Sequence, residues 1–306
     1  MGLEVRVPSP VEAVEDERLE RAGARSVRLW LKRDDLIHPG LPGNKWRKLK
    51  YNLREAVAVG HRCLLTFGGA YSNHVRATAA AGRHLGLDTI GVIRGEPHEP
   101  LNWSLRYATG QGMRLRYLDR AAYRDHTSPE VIAGLRREFG DFYLLPEGGS
   151  NALAVRGCAE LAAEIGTGFD VICCPCGTGG TLAGLAAGLA PGQRAIGFSA
   201  LRGGEFLAGQ VERLQLGATG RATENWRVEC GFPFGGYARC TPELAAFIAD
   251  FEQRHGLRLD WVYVAKMMAG IYTLAERGSF APGTRIVAVI TGPEAGGGPP
   301  PGRVRV

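Results

Sequence analysis

A chain of 306 residues, 45% hydrophobic and 22% charged, is long enough for two packed units and too apolar to be disordered along its length. Its formal charge of +6 arises from 37 basic residues set among 31 acidic ones with no run of five like charges, which argues against a nucleic-acid footprint and fits a small anionic ligand better. Seven scattered cysteines suit a reducing cytoplasm better than a disulfide framework, the acidic N-terminal stretch reads as no secretory signal, and no apolar run approaches the ~18 residues of a membrane span.

Residues up to Pro10 read as an extended lead-in, 27–31 as a short strand in which Leu29 and Leu31 alternate against Arg28, and Lys32-Arg33-Asp34-Asp35 as a charged turn. A glycine-containing loop then runs into a helix through Pro42-Gly43-Asn44-Lys45-Trp46-Arg47-Lys48-Leu49-Lys50-Tyr51. Trp46, Leu49, Leu53, Ala56 and Val57 recur at helical spacing and predict one apolar stripe laid on a core. Lys45 falls in the first turn, where unpaired backbone N–H groups and apolar neighbours disfavour an ammonium; an amine so poised can anchor a carbonyl cofactor covalently. The competing reading makes Lys45, Arg47, Lys48 and Lys50 one solvated basic face.

From Cys63 onward apolar strands, small-residue turns and helices alternate, with strands predicted at 63–67, 89–94, 114–118 and 143–145. The helices between them start near Ser72, Asn102 and Ser128 and stop at Gly86, Gly112 and Gly140. A second series places strands at 171–175, 194–199, 227–229 and 285–290, with helices from near Asn151, Gly180, Thr241 and Val264. Two such series predict an α/β architecture of two domains with a cleft between them, and ligands of parallel sheets sit outside the carboxyl ends of the strands.

Two post-strand turns carry candidate chemistry. In Gly68-Gly69-Ala70-Tyr71-Ser72-Asn73-His74, Ser72 can cap the following helix, and the free N–H groups and hydroxyl suit a carboxylate; taken alone, a plain helix cap explains Ser72 without any ligand. In Gly177-Thr178-Gly179-Gly180-Thr181, glycines allow close backbone approach and both threonines can donate, as a phosphate cradle requires. This loop is neither the dinucleotide fingerprint nor a nucleoside-triphosphate loop. Cys173, Cys174 and Cys176 end a strand-like apolar run and read as buried small hydrophobes, no second cysteine pair being present to complete a zinc site. The tail from Gly296 to Gly302 is expected to be extended and mobile.

Taken together, Gly43-Asn44-Lys45-x-Arg47-Lys48-Leu49, Ser72-Asn73-His74, Pro146-Glu147-Gly148-Gly149-Ser150-Asn151-Ala152, Gly177-Thr178-Gly179-Gly180-Thr181 and Tyr263 in Asp260-x-Val262-Tyr263 resemble the 1-aminocyclopropane-1-carboxylate deaminase and D-cysteine desulfhydrase family, over about residues 31–292. The resemblance implies pyridoxal 5′-phosphate and the two-domain, three-layer αβα fold of the tryptophan synthase β-like (fold type II) enzymes. It implies a large cofactor-binding domain of 1–48 and 147–306, a small substrate-side domain of 49–146, and a homodimer. By resemblance Lys45 bonds the cofactor covalently, Asn73 meets its phenolic oxygen, and Gly177, Thr178, Gly179, Gly180 and Thr181 bind its phosphate. Ser72, Asn73 and His74 would hold the substrate carboxylate, Tyr263 would lie beside the pyridine ring, and Tyr237 in Phe234-Gly235-Gly236-Tyr237 matches a second active-site tyrosine, although turn packing is its other reading. Thr291 aligns with the hydroxyl that meets the pyridine nitrogen; a nitrogen left unprotonated makes a weaker electron sink, which suits elimination over transamination.

The chain departs from the family where Val264-Ala265 follows Tyr263, in place of an acid in the ring-opening deaminases or Thr-Gly in the desulfhydrases, and where Ile290-Thr291-Gly292-Pro293 replaces His-Thr-Gly-Gly. These departures predict an altered substrate end beside an intact cofactor end, with Glu147 as the remaining candidate acid or a structural turn residue. The activity implied is α,β-elimination and deamination of a small amino acid, as in D-cysteine desulfhydrase, giving a 2-oxo acid and ammonia. The alternatives are ring opening of the cyclopropane substrate and a pyridoxal-phosphate-binding protein without turnover.

Overall fold

Apolar strands and capped helices alternate through the computed structural model, which describes residues 4–20, 26–41 and 43–292. In chain order the strands are β1 (Val11–Val14), β2 (Arg28–Lys32), β3 (Cys63–Gly69), β4 (Asp88–Arg94), β5 (Arg114–Leu118), β6 (Tyr143–Leu145), β7 (Val171–Cys176), β8 (Arg194–Ser199), β9 (Trp226–Glu229) and β10 (Arg285–Val289). The α-helices are α1 (Glu17–Glu20), α2 (Lys45–Ala58), α3 (Asn73–Leu85), α4 (Trp103–Gly110), α5 (Pro129–Phe139), α6 (Ala152–Ile165), α7 (Gly180–Gly188), α8 (Leu207–Thr219), α9 (Pro242–His255) and α10 (Val264–Glu276).

A six-stranded sheet is ordered β1-β2-β10-β7-β8-β9 and a four-stranded sheet β5-β4-β3-β6. Every strand pair is parallel except β1 with β2. The chain thus leaves the larger sheet after β2, builds the smaller one, and returns to it at β7; β10 closes the larger sheet by pairing Arg285 with Arg28. Helices on both faces bury the central strands, and β3 and β4 read as near-continuous apolar runs for that reason. Helix starts follow local chemistry: the side chains of Ser72, Asn102, Ser128, Asn151 and Thr241 each accept a backbone N–H from the first turn. Gly86 closes α3 in the left-handed conformation as expected, whereas α4 ends at Gly110, with Gln111 as its cap, before Gly112.

Several expectations are corrected. Gly68 and Gly69 extend β3 rather than forming the turn. The lead-in continues into β1, whose mostly exposed side chains are held by backbone pairing to β2, and α8 arises where no helix start is predicted. On α2 the residues Leu49, Leu53 and Ala56 pack with Leu64 and Leu145, but Val57 at the rim of the stripe is 43% exposed and Trp46 is half-buried. The basic residues of that helix do not form a solvated face, because Arg47 and Lys48 are buried.

The charged turn expected at Lys32–Asp35 runs from the end of β2 into a single 3-10 turn at Asp34–Leu36. Lys32 and Asp34 are buried, and with Ser9, Arg47 and Glu164 they form one network: Arg47 Nε and Nη2 donate to Asp34 at 2.7 and 2.8 Å, Arg47 Nη1 donates to Glu164 at 2.7 Å, and Lys32 Nζ donates to Glu164 at 2.9 Å. Ser9 Oγ completes it with a 2.7 Å bond to Asp34. This network ties α2 and α6 to the edge of the larger sheet and so fixes the first turn of α2. Cys173, Cys174 and Cys176 are buried in β7. Pro42, Pro293 and the glycine-proline tail lie outside the described residues.

Candidate cofactor and substrate site

Lys45 begins α2 at a point fixed by backbone contact. Gly43 has φ +52°, and a Cβ there would come within 1.7 Å of the Thr291 carbonyl oxygen, which also accepts the Asn44 N–H at 3.3 Å. Only glycine allows the segment after β10 to press on the start of α2 in this way. The result is a cavity of about 420 Å³ into which Lys45, the Ser72-Asn73-His74 turn, the 177–181 loop, Tyr237, Tyr263 and Thr291 all project. Every site residue expected from sequence therefore lines one space, at the carboxyl ends of β3, β7 and β10. Burial lowers the Lys45 pKa to about 7, and the neighbouring Lys48 charge acts in the same direction.

Lys48 is the residue that sequence reasoning missed. Its Nζ donates to the Gly148 carbonyl at 3.0 Å and to Ser150 Oγ at 2.9 Å, with Thr178 Oγ1 at 3.4 Å. No carboxylate pairs with it among the described residues, and burial holds its pKa below the usual lysine value. The i, i+3 spacing from Lys45 was the available signal, since it puts both amines on one face of α2. Ser150 Oγ also lies 2.7 Å from Thr178 Oγ1, and Asn44 Nδ2 donates to Thr181 Oγ1 at 2.7 Å, so the loop before α7 is pinned from behind. Gly179 sits at φ +76°, and a Cβ at Gly180 would lie 2.5 Å from Ser150 Oγ. A buried ammonium without a counter-ion, a helix N-terminus and a glycine cradle converge here, which fits a group with an anionic end.

The opposite wall is polar and capped. Ser72 Oγ accepts the Val75 N–H at 3.3 Å, leaving its own proton to donate into the cavity. Asn73 Oδ1 accepts from Arg76, whose guanidinium stacks 4.3 Å over Trp103, so the Asn73 amide nitrogen remains as the donor toward the cavity. The His74 ring is 1% exposed and packs against Gly149, and neither ring nitrogen has a hydrogen-bond partner among the described residues. Burial first, then Lys45 and Lys48, push its pKa well below the usual histidine value, so it is neutral at pH 7.

The third wall carries the two tyrosines, whose ring centroids are 5.9 Å apart in an edge-on arrangement. The Asp260 carboxylate accepts the N–H groups of Val262, Tyr263 and Val264 and so fixes Tyr263 at the start of α10. Burial raises the Tyr263 pKa well above its ordinary value, keeping the phenol protonated. Tyr237 is 42% exposed on a loop anchored by the buried Lys266, whose Nζ donates to the Gly236 carbonyl at 2.6 Å. Val264 and Ala265 are the first two residues of α10, buried in the core, and are not among the residues lining the cavity. The departure from the family pattern at these two positions therefore lies behind the wall, directly after Tyr263 in the chain. Glu147 does line the cavity, its Oε2 3.8 Å from His126 Nε2. A second cavity of about 460 Å³ beside α9 and α10 contains Arg18, already paired with Asp16 and Asp250, and brings together no comparable set of groups.

The sequence pattern of the pyridoxal-phosphate dependent enzymes matches residues 8–292. The chain belongs to that family. It is 33% identical over 274 residues to a Pyrococcus horikoshii protein provisionally named a 1-aminocyclopropane-1-carboxylate deaminase, with 86% of this chain and 84% of the relative covered. It is 30% identical over 289 residues to the D-cysteine desulfhydrase of Yersinia pestis, with 86% of each covered. A solved structure described as an ACC deaminase homologue superposes with a TM-score of 0.81 at 31% identity, covering 95% of this chain and 90% of that one. The fold and the pyridoxal-phosphate cofactor expected from the motifs are thereby established.

Proposed function

We propose that this enzyme is a pyridoxal-phosphate-dependent lyase that performs α,β-elimination on a small amino acid of the D-cysteine type. The observation that carries the reading is the pairing, in one cavity, of a lysine whose pKa is lowered to about 7 with a cradle whose buried Lys48 lacks a carboxylate. Lys45 would hold the cofactor, the 177–181 loop and Lys48 would take its phosphate, Asn73 would donate to its phenolic oxygen, and Tyr263 and Thr291 would flank its ring. The bound cofactor supplies an electron sink for the pair left at Cα. Once the substrate amine has displaced it from the anchor bond, Lys45 Nζ takes the Cα proton, the β-substituent departs with its bonding pair, and water hydrolyses the released enamine to a 2-oxo acid and ammonia. Cysteine would thus yield pyruvate, ammonia and sulfide. The Ser72 hydroxyl and the Asn73 amide donate to the substrate carboxylate, His74 walls the pocket as a neutral ring, and Tyr237 closes it from the exposed loop. The reading carries with it a large domain of 1–48 and 147–306, a small domain of 49–146, a homodimer and a cytoplasmic location.

Elimination is favoured over ring opening because a substrate without a Cα hydrogen needs a further base or nucleophile at the ring carbon. Among the residues lining the cavity, Glu147 is the one carboxylate, and it already stands beside His126. Release of 2-oxobutyrate from 1-aminocyclopropane-1-carboxylate, with no keto acid from β-substituted amino acids, would reverse that order.

Two substitutions separate the roles. Ser72→Ala should raise KM and lower kcat/KM by ~10²-fold through lost positioning while leaving the visible absorbance of the bound cofactor nearly unchanged. Full activity in this variant would put the carboxylate elsewhere. Lys48→Met should weaken cofactor retention about 10- to 100-fold, the worth of a charge-assisted hydrogen bond, as read by equilibrium dialysis of the holoenzyme. Retention equal to wild type would remove Lys48 from the phosphate site.

A further inference from the structure

We propose that Arg94 is a specificity residue that selects amino acids whose side chain ends in a second anionic group; this rests on the elimination reading above. Arg94 closes β4 and pairs in register with Gly69 at the end of β3, which places it directly beside the turn that carries Ser72 and Asn73. It lines the same cavity. A Cβ on residue 69 would stand 3.5 Å from Arg94 Nη2, so the guanidinium lies across the glycine, and its carbon is 5.7 Å from the centroid of the Tyr123 ring. The Tyr123 ring is itself buried, at 4% exposure, and stacks on His126. Arg94 thus stands between a glycine and an aromatic ring at the mouth of the cavity, where it is exposed to solvent as well as lining the pocket.

Among the described residues, no carboxylate lies within ion-pairing distance of Arg94. That distinguishes it from Arg18, Arg33, Arg47 and Arg285, each of which is bonded to an aspartate. The acidic residue of this wall, Glu147, stands near the Tyr123 hydroxyl and 3.8 Å from His126. A planar fork of donors on a cavity wall without a counter-ion matches a carboxylate or another planar or tetrahedral oxyanion. The Ser72-Asn73 turn already offers donors for the α-carboxylate, so Arg94 is left for the group beyond the β carbon. That group is part of what is expelled in an elimination.

The test uses the reconstituted holoenzyme and a matched pair of substrates, O-acetylserine and O-succinylserine, in both enantiomers. Both leave as carboxylates, and they differ in a distal negative charge. Dissociation constants are read from the change in visible absorbance, and turnover from keto-acid release. The expected result is a preference for the succinyl compound of ~10-fold or more in kcat/KM and in binding, which collapses in Arg94→Met and is partly kept in Arg94→Lys. Equal affinity for the two compounds in the wild type, or an equal loss on both in Arg94→Met, would overturn the proposal; the second outcome would assign Arg94 to the α-carboxylate. Absence of keto acid would refute the elimination reading, and the binding ratio would still decide the role of Arg94.

Discussion

Lys45→Ala is expected to abolish the visible absorbance of the reconstituted enzyme and to lower kcat by at least ~10⁴-fold, because one side chain serves as both covalent anchor and proton acceptor. A pH dependence follows from the same residue. Burial takes its pKa from 10.5 down to about 7, so below pH 7 the apoenzyme amine is protonated and has no lone pair for the cofactor aldehyde. The rate of cofactor uptake should therefore fall as pH falls through about 7. Folding sheds this proton, so the associated contribution to apoenzyme stability is full above 10.5 and lost as pH falls through about 7. Lys48→Met removes a repelling charge and should move the uptake midpoint upward.

The largest stability loss is expected from Arg47→Met. The guanidinium is 1% exposed and bridges Asp34 and Glu164; without it, Asp34 keeps one neutral donor, Ser9, and Glu164 keeps Lys32. Burial opposes ionisation of Glu164, yet the bonds from Arg47 and Lys32 hold its pKa below the usual carboxylate value. Breaking a buried pair by removing one partner costs about 3–5 kcal/mol, readable by chemical denaturation of the apoenzyme. Arg47→Lys should recover only part of it, since a single ammonium cannot reproduce the two-pronged contact with Asp34. A loss below about 1 kcal/mol in Arg47→Met would show that the network is not what fixes α2.

The parts of the molecule legible in the sequence are those whose causes are local. Ser72, Asn102, Ser128, Asn151 and Thr241 cap their helices with their own side chains, so their positions could be read one turn at a time. The cavity residues were legible through motifs whose glycines, hydroxyls and lysine keep short spacings. What stayed hidden depends on distant partners. Lys48 and Arg47 look alike in sequence, and only the folded positions of Ser150 and Gly148 for one, and of Asp34 and Glu164 for the other, separate a buried uncompensated ammonium from a buried ion pair. The strand β1 is mostly exposed and takes its order from the backbone of β2, which leaves no apolar alternation to find. The helix α8 lacks a capping side chain at Phe206 and buries Gln215 beside Leu207 and Val211, so both its start signal and its apolar period are weak. Arg94 was invisible for a related reason: only the pairing of β3 with β4 sets it beside Gly69 and the Ser72 turn.

Lys45, and not its buried neighbour Lys48, is assigned as the residue that carries the cofactor. Borohydride reduction of the reconstituted wild-type enzyme, followed by proteolysis and mass mapping, measures this directly. A single phosphopyridoxyl adduct on Lys45 is expected; an adduct on Lys48 with Lys45 unmodified, or a protein that stays colourless and unlabelled, would rule out Lys45 as the anchor.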